Sequence, residues 1–427
     1  MKHKVLVFPC GSEIGLEIHK ALKFCKDIEL FGASSVSSNN GKYQYKNYIE
    51  GLPWVEAPGF IDQLNELILK HNIDFIYPAH DSVLLFLSQN QSLVKATVIA
   101  SEAKTCEICR SKALTYQIFN NIIPVPKVYN SSADINEYPV FLKPDVGQGA
   151  KGVYLAKNKE EVDFYRAKDN TLLMLEYLPY KEYTVDCFTD SKGNLLFAKG
   201  RLRSRIQNGI SVDTFPVDNP EFLEFAEKIN KELKFKGAWF FQLKENKNKE
   251  LMLLEIAPRI AGTMALFRNL GVNFPLLSIY TFVDMPVEIM TNEYHLQLDR
   301  ALSNSYKIDI EYDHVYVDLD DTIINNDKIV VSVVSFLFQC LNNGKKIYLI
   351  TRHKEIVENT LNKFRIQNMF DEIIHITNGD CKSLFIDKGR KAIFIDDSFA
   401  ERKKVKTNCS IPVFDISQLE SLIENHL

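Results

Sequence analysis

Residues Phe141 to Val153 read Phe-Leu-Lys-Pro-Asp-Val-Gly-Gln-Gly-Ala-Lys-Gly-Val. The apolar residues around Lys143 predict a buried strand, and the three glycines that follow predict a turn. Glycine permits positive φ and lets bare backbone N–H groups approach a ligand, so such a loop can hold phosphate oxygens. Lys143 and Lys151 add a positive charge on either side. The spacing is not that of a Walker loop, and an ordinary hairpin with a solvated lysine is the alternative.

Composition sets the broad class of the protein. The chain has 427 residues, so two to four domains are expected, and its net charge of −4 is spread over well-mixed acids and bases. That charge gives no electrostatic case for nucleic acid or an anionic membrane, and no apolar run is long enough to cross a bilayer. Eight cysteines without a disulfide framework are typical of reduced cytoplasmic thiols. We therefore expect a cytoplasmic protein; the oligomeric state is open, with a homodimer among the options.

Residues 1–104 have the pattern of a small parallel α/β domain. A strand at residues 4–8, a glycine turn and a helix at residues 16–24 are followed by strands at residues 28–33, 74–78 and 98–100. His80 and Asp81 come just after the third of these strands. Open α/β sheets bind ligands beyond the carboxyl ends of their strands, so both residues are candidates for substrate binding. The alternative is a helix start with Asp81 as its N-cap.

A second motif follows the glycine loop. An apolar strand runs into Glu176 and Leu178, and the sequence Glu-Tyr-Thr-Val-Asp then begins at Glu182. Together with the glycine loop, this order of motifs resembles the ATP-grasp family. The resemblance implies that residues 176–178 bind adenine through backbone groups and that Glu182 binds the ribose hydroxyls, since a carboxylate can accept two donors at once.

The resemblance also implies the fold and the nucleotide site. The α/β domain would precede a two-lobed ATP-grasp fold, with the small lobe at residues 105–180 and the large lobe at residues 181–295. Lys112, in the first turn of a helix, would reach the phosphates, although a lysine placed there is usually solvated. The ATP-binding residues implied in this way are Lys112, Lys143, Gly149, Lys151, Glu176, Leu178 and Glu182.

Four cations alternate along the next predicted strand. Lys199, Arg201, Arg203 and Arg205 occupy every second position, which places their side chains on one face. Four like charges would repel one another on a surface that binds no ligand, and the planar guanidinium group of arginine can bind carboxylates and phosphates through two hydrogen bonds at once. We therefore predict that the three arginines bind an anionic substrate or the ATP phosphates; a solvated face is the alternative.

A magnesium site is predicted at the end of the large lobe. Glu255 ends a buried apolar strand, where a carboxylate is costly without a partner, and Gln242 lies on the neighbouring predicted strand. The ATP-grasp signature here is Glu-x-Asn-Pro-Arg; Arg259 matches as a catalytic residue, but Ala257 replaces the asparagine. Family members phosphorylate a carboxylate with ATP, and a nucleophile such as an amine then displaces the phosphate. The missing ligand keeps a second interpretation open, a non-catalytic ATP sensor.

Residues 312–427 begin a new domain with a different chemistry. A β-branched strand ends in Asp318-Leu-Asp320-Asp-Thr, and this motif resembles the haloacid dehalogenase-like phosphatases. The resemblance implies that Asp318 is the nucleophile and that Asp320 is the general acid and base. Because clustered carboxylates repel one another, a magnesium ion is also implied.

Later residues complete the phosphatase pattern. Thr351 ends a strand in a hydroxyl suited to phosphate, and Lys382 is the first candidate for the charge-balancing lysine, with Lys391 second. The intervals between these motifs leave no room for a cap domain, which predicts an open Rossmann-like domain. The sequence thus predicts a carboxylate–amine ligase fused to a phosphatase, using ATP, Mg²⁺ and small-molecule substrates. The predicted metal ligands are Gln242, Glu255, Asp318, Asp320, Asp396 and Asp397.

Overall fold

The protein folds into two compact units that divide between Leu302 and Ser303. The structure is a computed structural model and describes residues 2–147, 149 and 151–424. Among these residues no helix combines the length and the apolar character that a membrane crossing requires.

A parallel five-stranded sheet begins the first unit, with strand order β3-β2-β1-β4-β5. Its strands are β1 His3–Phe8, β2 Ile28–Ser34, β3 Asn47–Glu50, β4 Phe75–Pro78 and β5 Thr97–Val98. Its helices are α1 Glu13–Leu22, α2 Phe60–His71 and α3 Asp81–Gln89. The central strand β1 is covered on both faces, so its apolar run Val5–Val7 is fully buried. The Ser12 hydroxyl caps α1 by accepting from the N–H of Gly15.

A four-stranded antiparallel sheet follows, with order β6-β9-β7-β8. Its strands are β6 Val128–Tyr129, β7 Val140–Pro144, β8 Tyr154–Ala156 and β9 Leu172–Glu176. Helices α4 Ala103–Arg110 and α5 Lys112–Phe119 precede it, and α6 Lys159–Lys168 connects β8 to β9. The glycine loop joins β7 to β8, so the sheet holds both ends of that loop.

A six-stranded antiparallel sheet completes the first unit, with order β14-β13-β10-β11-β12-β15. Its strands are β10 Glu182–Thr189, β11 Leu195–Gln207, β12 Ile210–Val217, β13 Gly237–Glu245, β14 Leu251–Ala257 and β15 Leu298–Asp299. Its helices are α7 Pro220–Glu232, α8 Ala265–Asn269 and α9 Phe274–Phe282. Helix α7 packs so closely on β11 that a Cβ at Gly200 would lie 2.2 Å from the Phe222 ring. Strand β15 lies between the predicted large lobe, which ends at residue 295, and the predicted second domain, which begins at residue 312.

The second unit contains a parallel sheet with order β20-β19-β16-β21-β22 and a two-stranded hairpin. Its strands are β16 His314–Val317, β17 Ile324–Asn325, β18 Lys328–Ile329, β19 Lys346–Thr351, β20 Glu372–His375, β21 Ala392–Ile395 and β22 Val413–Phe414. Its helices are α10 Val331–Asn342, α11 Val357–Lys363 and α12 Phe399–Cys409. Because the strands are parallel, the polar residues that follow β16 and β21 lie at the same edge of the sheet.

Candidate active sites

One face of the large sheet in the first unit carries a row of polar side chains. Thr184 on β10 lies opposite Arg201 on β11 and opposite Gln242 on β13, and Gln242 lies opposite Glu255 on β14. Directly opposed residues share a face, so a cation, a hydroxyl, an amide and a carboxylate stand side by side. Arg201, Gln242 and Glu255 line a cleft of about 350 Å³. Thr184 Oγ1 and Arg201 Nη1 are buried and have no hydrogen-bond partner among the described residues.

Glu182 occupies the next row on this face. Its carboxylate forms ion pairs with Arg203 Nε at 2.9 Å and with Lys244 Nζ at 3.3 Å. Arg203 also donates from Nη2 to the carbonyl oxygen of Gly209 at 2.8 Å. The carboxylate that the sequence assigned to ribose is therefore held in place by two cations, with 14% of its side chain exposed.

The prediction that four cations of β11 share one face fails only at Arg205, since Lys199, Arg201 and Arg203 occupy alternate positions of the regular strand. Arg201 is almost fully buried and donates to both carboxylate oxygens of Asp186, at 2.7 Å and 3.2 Å. The strand register shifts on either side of Arg205, whose exposed side chain forms an ion pair with Asp299 at 2.6 Å. Lys199 is exposed and does not line the cleft. Arg201 and Arg203 do line the cleft.

Lys143 is buried on β7 beside the polar row. Its ammonium group donates to the hydroxyl of Tyr116 at 2.8 Å, and that hydroxyl donates to the carbonyl of Leu254 at 2.7 Å. Burial, and to a smaller extent the charge of Lys112, lowers the pKa of Lys143 to about 7 against the opposing effect of Glu255 and Glu182. Lys143 therefore lies within electrostatic range of both acids, although its direct partner is neutral.

The residues after β7 join the glycine loop to helix α5. The carboxylate of Asp145 accepts from Ser111 Oγ at 2.9 Å and from the N–H of Ala113 at 2.8 Å, which holds the helix start against the loop. Lys112 donates to the Asp145 carbonyl at 3.1 Å, and Arg110 donates to the Gly147 carbonyl at 3.2 Å. Both cations line the cleft. The sequence analysis missed Arg110, since nothing distinguishes it from a solvated residue at a helix end.

The loop itself reaches the β11–β12 turn. Gly149 has φ +64°, and a Cβ there would lie 3.5 Å from the carbonyl oxygen of Asn208. Lys151 is exposed. Residues 148 and 150 of the predicted loop lie outside the described residues.

The predicted adenine segment follows β9. Glu176 ends that strand, and its side chain accepts from the backbone N–H of Lys127 at 3.1 Å. Leu178 is buried with 5% of its surface exposed. The next residues approach β13, where Tyr180 donates its backbone N–H to the carbonyl of Glu245 at 3.4 Å.

Asp81 forms an ion pair with Arg259 across 178 positions of sequence. Arg259 Nε and Nη2 donate to its two oxygens, at 2.5 Å and 2.8 Å, and Arg259 Nη1 donates to the Ile260 carbonyl at 2.9 Å. Burial alone would raise the pKa of Asp81, but Arg259 more than offsets it and holds that pKa below its usual value. The alternative that Asp81 caps α3 is wrong, because His80 is the N-cap and accepts from the N–H of Ser82 at 3.3 Å.

The second unit has a buried lysine between two carboxylates. Lys382 Nζ lies 2.6 Å from an oxygen of Asp318, after β16, and 2.7 Å from an oxygen of Asp396, after β21. Burial raises the pKa of Asp318 to about 6, although Lys382 opposes that shift and Asp396 adds to it. Lys391, the second candidate, is exposed and pairs with Glu311 at 2.5 Å. The structure thus places Lys382, and not Lys391, at the acids.

Three carboxylates at this edge could hold a metal ion. One oxygen from each of Asp318, Asp396 and Asp397 lies within 4.8 Å of the others. The N–H of Asp397 donates to the buried hydroxyl of Thr322 at 3.0 Å, which fixes the loop after β21. Hard cations prefer such oxygen ligands.

Asp320 lies outside this group of carboxylates, contrary to the prediction that it is a metal ligand. Its two oxygens are 2.9 Å and 3.0 Å from Nδ1 of His353. The buried hydroxyl of Thr351 accepts from the backbone N–H of His353 at 3.1 Å. The sequence analysis missed His353, although its position two residues after Thr351 placed it at the same edge of the sheet.

Comparison with known proteins identifies the fold of the first unit. A family model described as ATP-grasp in the biosynthetic pathway with Ter operon matches residues 168–301. The arginine-specific carbamoyl phosphate synthase large chain of Halalkalibacterium halodurans is 26% identical over 185 residues, which cover 38% of this chain and 17% of that protein. The chain spans less than one third of the length of the curated relatives that it matches.

Two solved structures share this architecture. One is the biotin carboxylase domain of Hydrogenobacter thermophilus 2-oxoglutarate carboxylase in complex with MgADP, ADP and bicarbonate. It superposes with a TM-score of 0.55 at 18% sequence identity, and the match covers 68% of this chain and 72% of that one. The other is the ADP complex of an N5-carboxyaminoimidazole ribonucleotide synthetase. It superposes with a TM-score of 0.55 at 14% sequence identity, and the match covers 68% of this chain and 79% of that one. The prediction of an ATP-grasp fold is confirmed.

Proposed function

We propose that this protein, whose first unit has the ATP-grasp fold, is an ATP-dependent carboxylate–amine ligase joined to a magnesium-dependent phosphatase. The ligase half is supported by the polar row of β11, β10, β13 and β14 at the glycine loop. The phosphatase half is supported by Lys382, which bridges Asp318 and Asp396 beside Asp397. The fold comparisons concern the first unit, so the role of the second rests on its geometry.

ATP fits the cleft of the first unit. Lys143 and Lys112 would hold the phosphates with the glycine loop, Gly149 and Lys151, and Glu182 would accept from the ribose. Residues 176–178, including Glu176 and Leu178, would line the adenine. Two buried polar atoms, Arg201 Nη1 at the cleft and Thr184 Oγ1 on the neighbouring strand, have no partner among the described residues, as expected where a ligand supplies one. The carboxylase that shares the fold was solved with MgADP.

Magnesium fits Gln242 and Glu255, which face each other across β13 and β14. When bound, the ion would neutralise charge on the phosphates. The carboxylate substrate would attack the γ-phosphorus and ADP would leave. The amine would then attack the acyl carbon, and inorganic phosphate would leave as the amine proton is lost. Arg259, which pairs with Asp81, would fix the position of the loop after β14. The carboxylate and amine substrates would bind near His80 and Arg203.

In the second unit Asp318 would attack the phosphorus of an ester while Asp320 gives a proton to the leaving oxygen. Asp320 would then take a proton from water, which attacks the aspartyl phosphate and releases phosphate. Asp318, Asp396 and Asp397 would hold magnesium, whose charge offsets that of the phosphoryl oxygens. Thr351 and Lys382 would bind those oxygens. A ligated product made from a phosphorylated amine would be a suitable ester.

The experiment is a screen of ADP release against carboxylates and phosphorylated amines, with phosphate release from phosphate esters measured separately in the absence of ATP. Glu255→Gln should abolish carboxylate-dependent ADP release and leave phosphate release intact, and Asp318→Asn should do the reverse. EDTA should stop phosphate release, and added magnesium should restore it. ADP release that Glu255→Gln leaves unchanged would contradict the ligase assignment.

The carboxylase of the same fold was solved as a domain dimer, so a homodimer is the first oligomeric state to test.

One observation favours a second function for the first unit, ATP sensing without chemistry. Ala257 is buried at the end of β14 and lines the cleft where the family signature has an asparagine oxygen. Under this alternative the protein binds ATP and releases no ADP with any substrate pair. Ala257→Asn separates the two functions: a gain in ADP release shows that the missing oxygen limits catalysis.

A further inference from the structure

The imidazole of His353 connects several parts of the second unit's site. Its Nδ1 lies 2.9 Å and 3.0 Å from the two oxygens of Asp320, and its Nε2 lies 2.8 Å from the hydroxyl of Thr360 on α11. Its backbone N–H donates to Thr351 Oγ1, and its carbonyl accepts from His375 Nε2 at 2.8 Å. Both its side chain and its backbone are therefore fixed.

The hydrogen-bonding roles at this contact follow from the chemistry of the groups. A carboxylate oxygen accepts whether Asp320 is ionised or carries a proton on its other oxygen, so His353 Nδ1 carries a proton and donates to Asp320. The hydroxyl of Thr360 can donate to Nε2 or accept from it, and it therefore suits this tautomer. The side chain of Asp320 is 51% exposed, whereas that of His353 is 13% exposed. The better-buried ring thus restrains an acid that would otherwise sample several rotamers.

We infer that His353 is a positioning residue for Asp320 and adapts the site to phosphate esters of aliphatic alcohols. The inference rests on the proposed phosphatase function. An alkoxide is a poor leaving group and needs a proton as its bond to phosphorus breaks, whereas a nitrophenoxide leaves without one. Holding Asp320 toward the leaving oxygen therefore matters for alkyl phosphates and little for activated aryl phosphates.

The test compares glycerol phosphate with p-nitrophenyl phosphate in the full-length protein. His353→Phe keeps a ring and removes the donor; it should lower kcat for glycerol phosphate on the order of 10²-fold, the usual cost of a misplaced group. The loss for the aryl ester should be much smaller. His353→Asn can retain an N–H toward Asp320, so it should recover part of the lost activity. The matched control is His314→Phe, since His314 pairs with Asp313 at the opposite end of β16 and should not affect either ester.

A double-mutant cycle then shows whether His353 acts through Asp320. In an Asp320→Asn background, His353→Phe should cause little further loss. An equal loss for both esters, or the full loss in the Asp320→Asn background, would overturn the inference and leave the phosphatase assignment standing. If the wild type hydrolyses neither ester, the phosphatase assignment fails and the inference fails with it.

Discussion

Two buried lysines, one in each unit, lie in opposite electrostatic surroundings. Lys143 has a neutral direct partner, the hydroxyl of Tyr116, and burial lowers its pKa to about 7. Lys382 lies between the carboxylates of Asp318 and Asp396, with Asp397 close by. In the first site the lysine has no direct anionic partner among the described residues, which suits a polyanion such as ATP. In the second, two carboxylates contact the lysine and a third lies close to them, which suits a divalent cation.

The largest effect that this comparison predicts is loss of phosphate release from an ester, measured without ATP, in Asp318→Asn. An amide cannot form the aspartyl phosphate, so activity should fall to the background of the assay. ATP binding should be unchanged, because it belongs to the other unit. Asp313→Asn, at the start of β16, is the control and should retain activity. Phosphate release by Asp318→Asn at the wild-type rate would place the nucleophile elsewhere.

Replacing each lysine by methionine should change stability in different ways. Lys382→Met leaves two buried carboxylates uncompensated and should destabilise the second unit by roughly 3–5 kcal/mol. Lys143→Met removes a buried amine that has no direct counter-ion in the part of the chain that the structure describes, so the free energy of unfolding of the first unit should change by less than about 1 kcal/mol. Both tryptophans, Trp54 and Trp239, lie in the first unit, so fluorescence during urea unfolding reports on that unit and circular dichroism on both. Similar losses of unfolding free energy in the two variants would contradict the proposed difference between the two lysines.

The sequence predicted the positions of the acids well, for a physical reason. Parallel strands are continuous apolar runs, so the carboxylates of Asp318 and Asp396 stand out where those runs stop, at the same edge of the sheet. The short strand β3, Asn47–Glu50, was not predicted because it is partly exposed and lacks an apolar run. The two-residue strand β15 was not predicted for the same reason.

Contacts between distant segments were beyond prediction from one sequence. Asp81 and Arg259 were each selected, but no local pattern indicates that they bind each other over 178 positions. The alternation rule placed Arg205 on the face of Arg201, and the register shift at Arg205 overrode that rule. His353 was missed because its role depends on Asp320, which lies on another loop.

Glu182→Gln tests the nucleotide side of the comparison with an intermediate effect. In the proposed site Glu182 accepts from ribose hydroxyls, and a hydrogen bond to a charged group contributes about 1.5–3 kcal/mol. ATP affinity should therefore fall by roughly tenfold or more, measured by calorimetry. Glutamine keeps the size of the Glu182 side chain and still gives Arg203 and Lys244 a polar neighbour. Glu245→Gln is the control, since Glu245 accepts from Tyr183 at 2.8 Å, and it should bind ATP normally. Equal affinities in both variants would remove Glu182 from the site.

The last predicted effect, which is small near neutral pH, is a pH dependence of ATP affinity that originates at Lys143. Its pKa of about 7 lies below the ordinary lysine value of 10.5, so the empty site loses this charge as the pH rises through 7. Phosphate binding favours the charged form, so above pH 7 the site must take up a proton. Affinity should then fall by up to about tenfold for each pH unit above 7.

Titration calorimetry between pH 6 and 9, repeated in buffers of different ionisation enthalpy, measures both the affinity and the proton uptake. Lys143→Arg keeps the charge across this range and should flatten the profile, and Lys143→Met should bind weakly without the proton uptake. Since ATP itself titrates in part of this range, the difference between wild type and Lys143→Arg is the quantity to interpret. If that difference is independent of pH, Lys143 does not hold the phosphates. The two lysines would then differ in their neighbours but not in the kind of ligand that they bind.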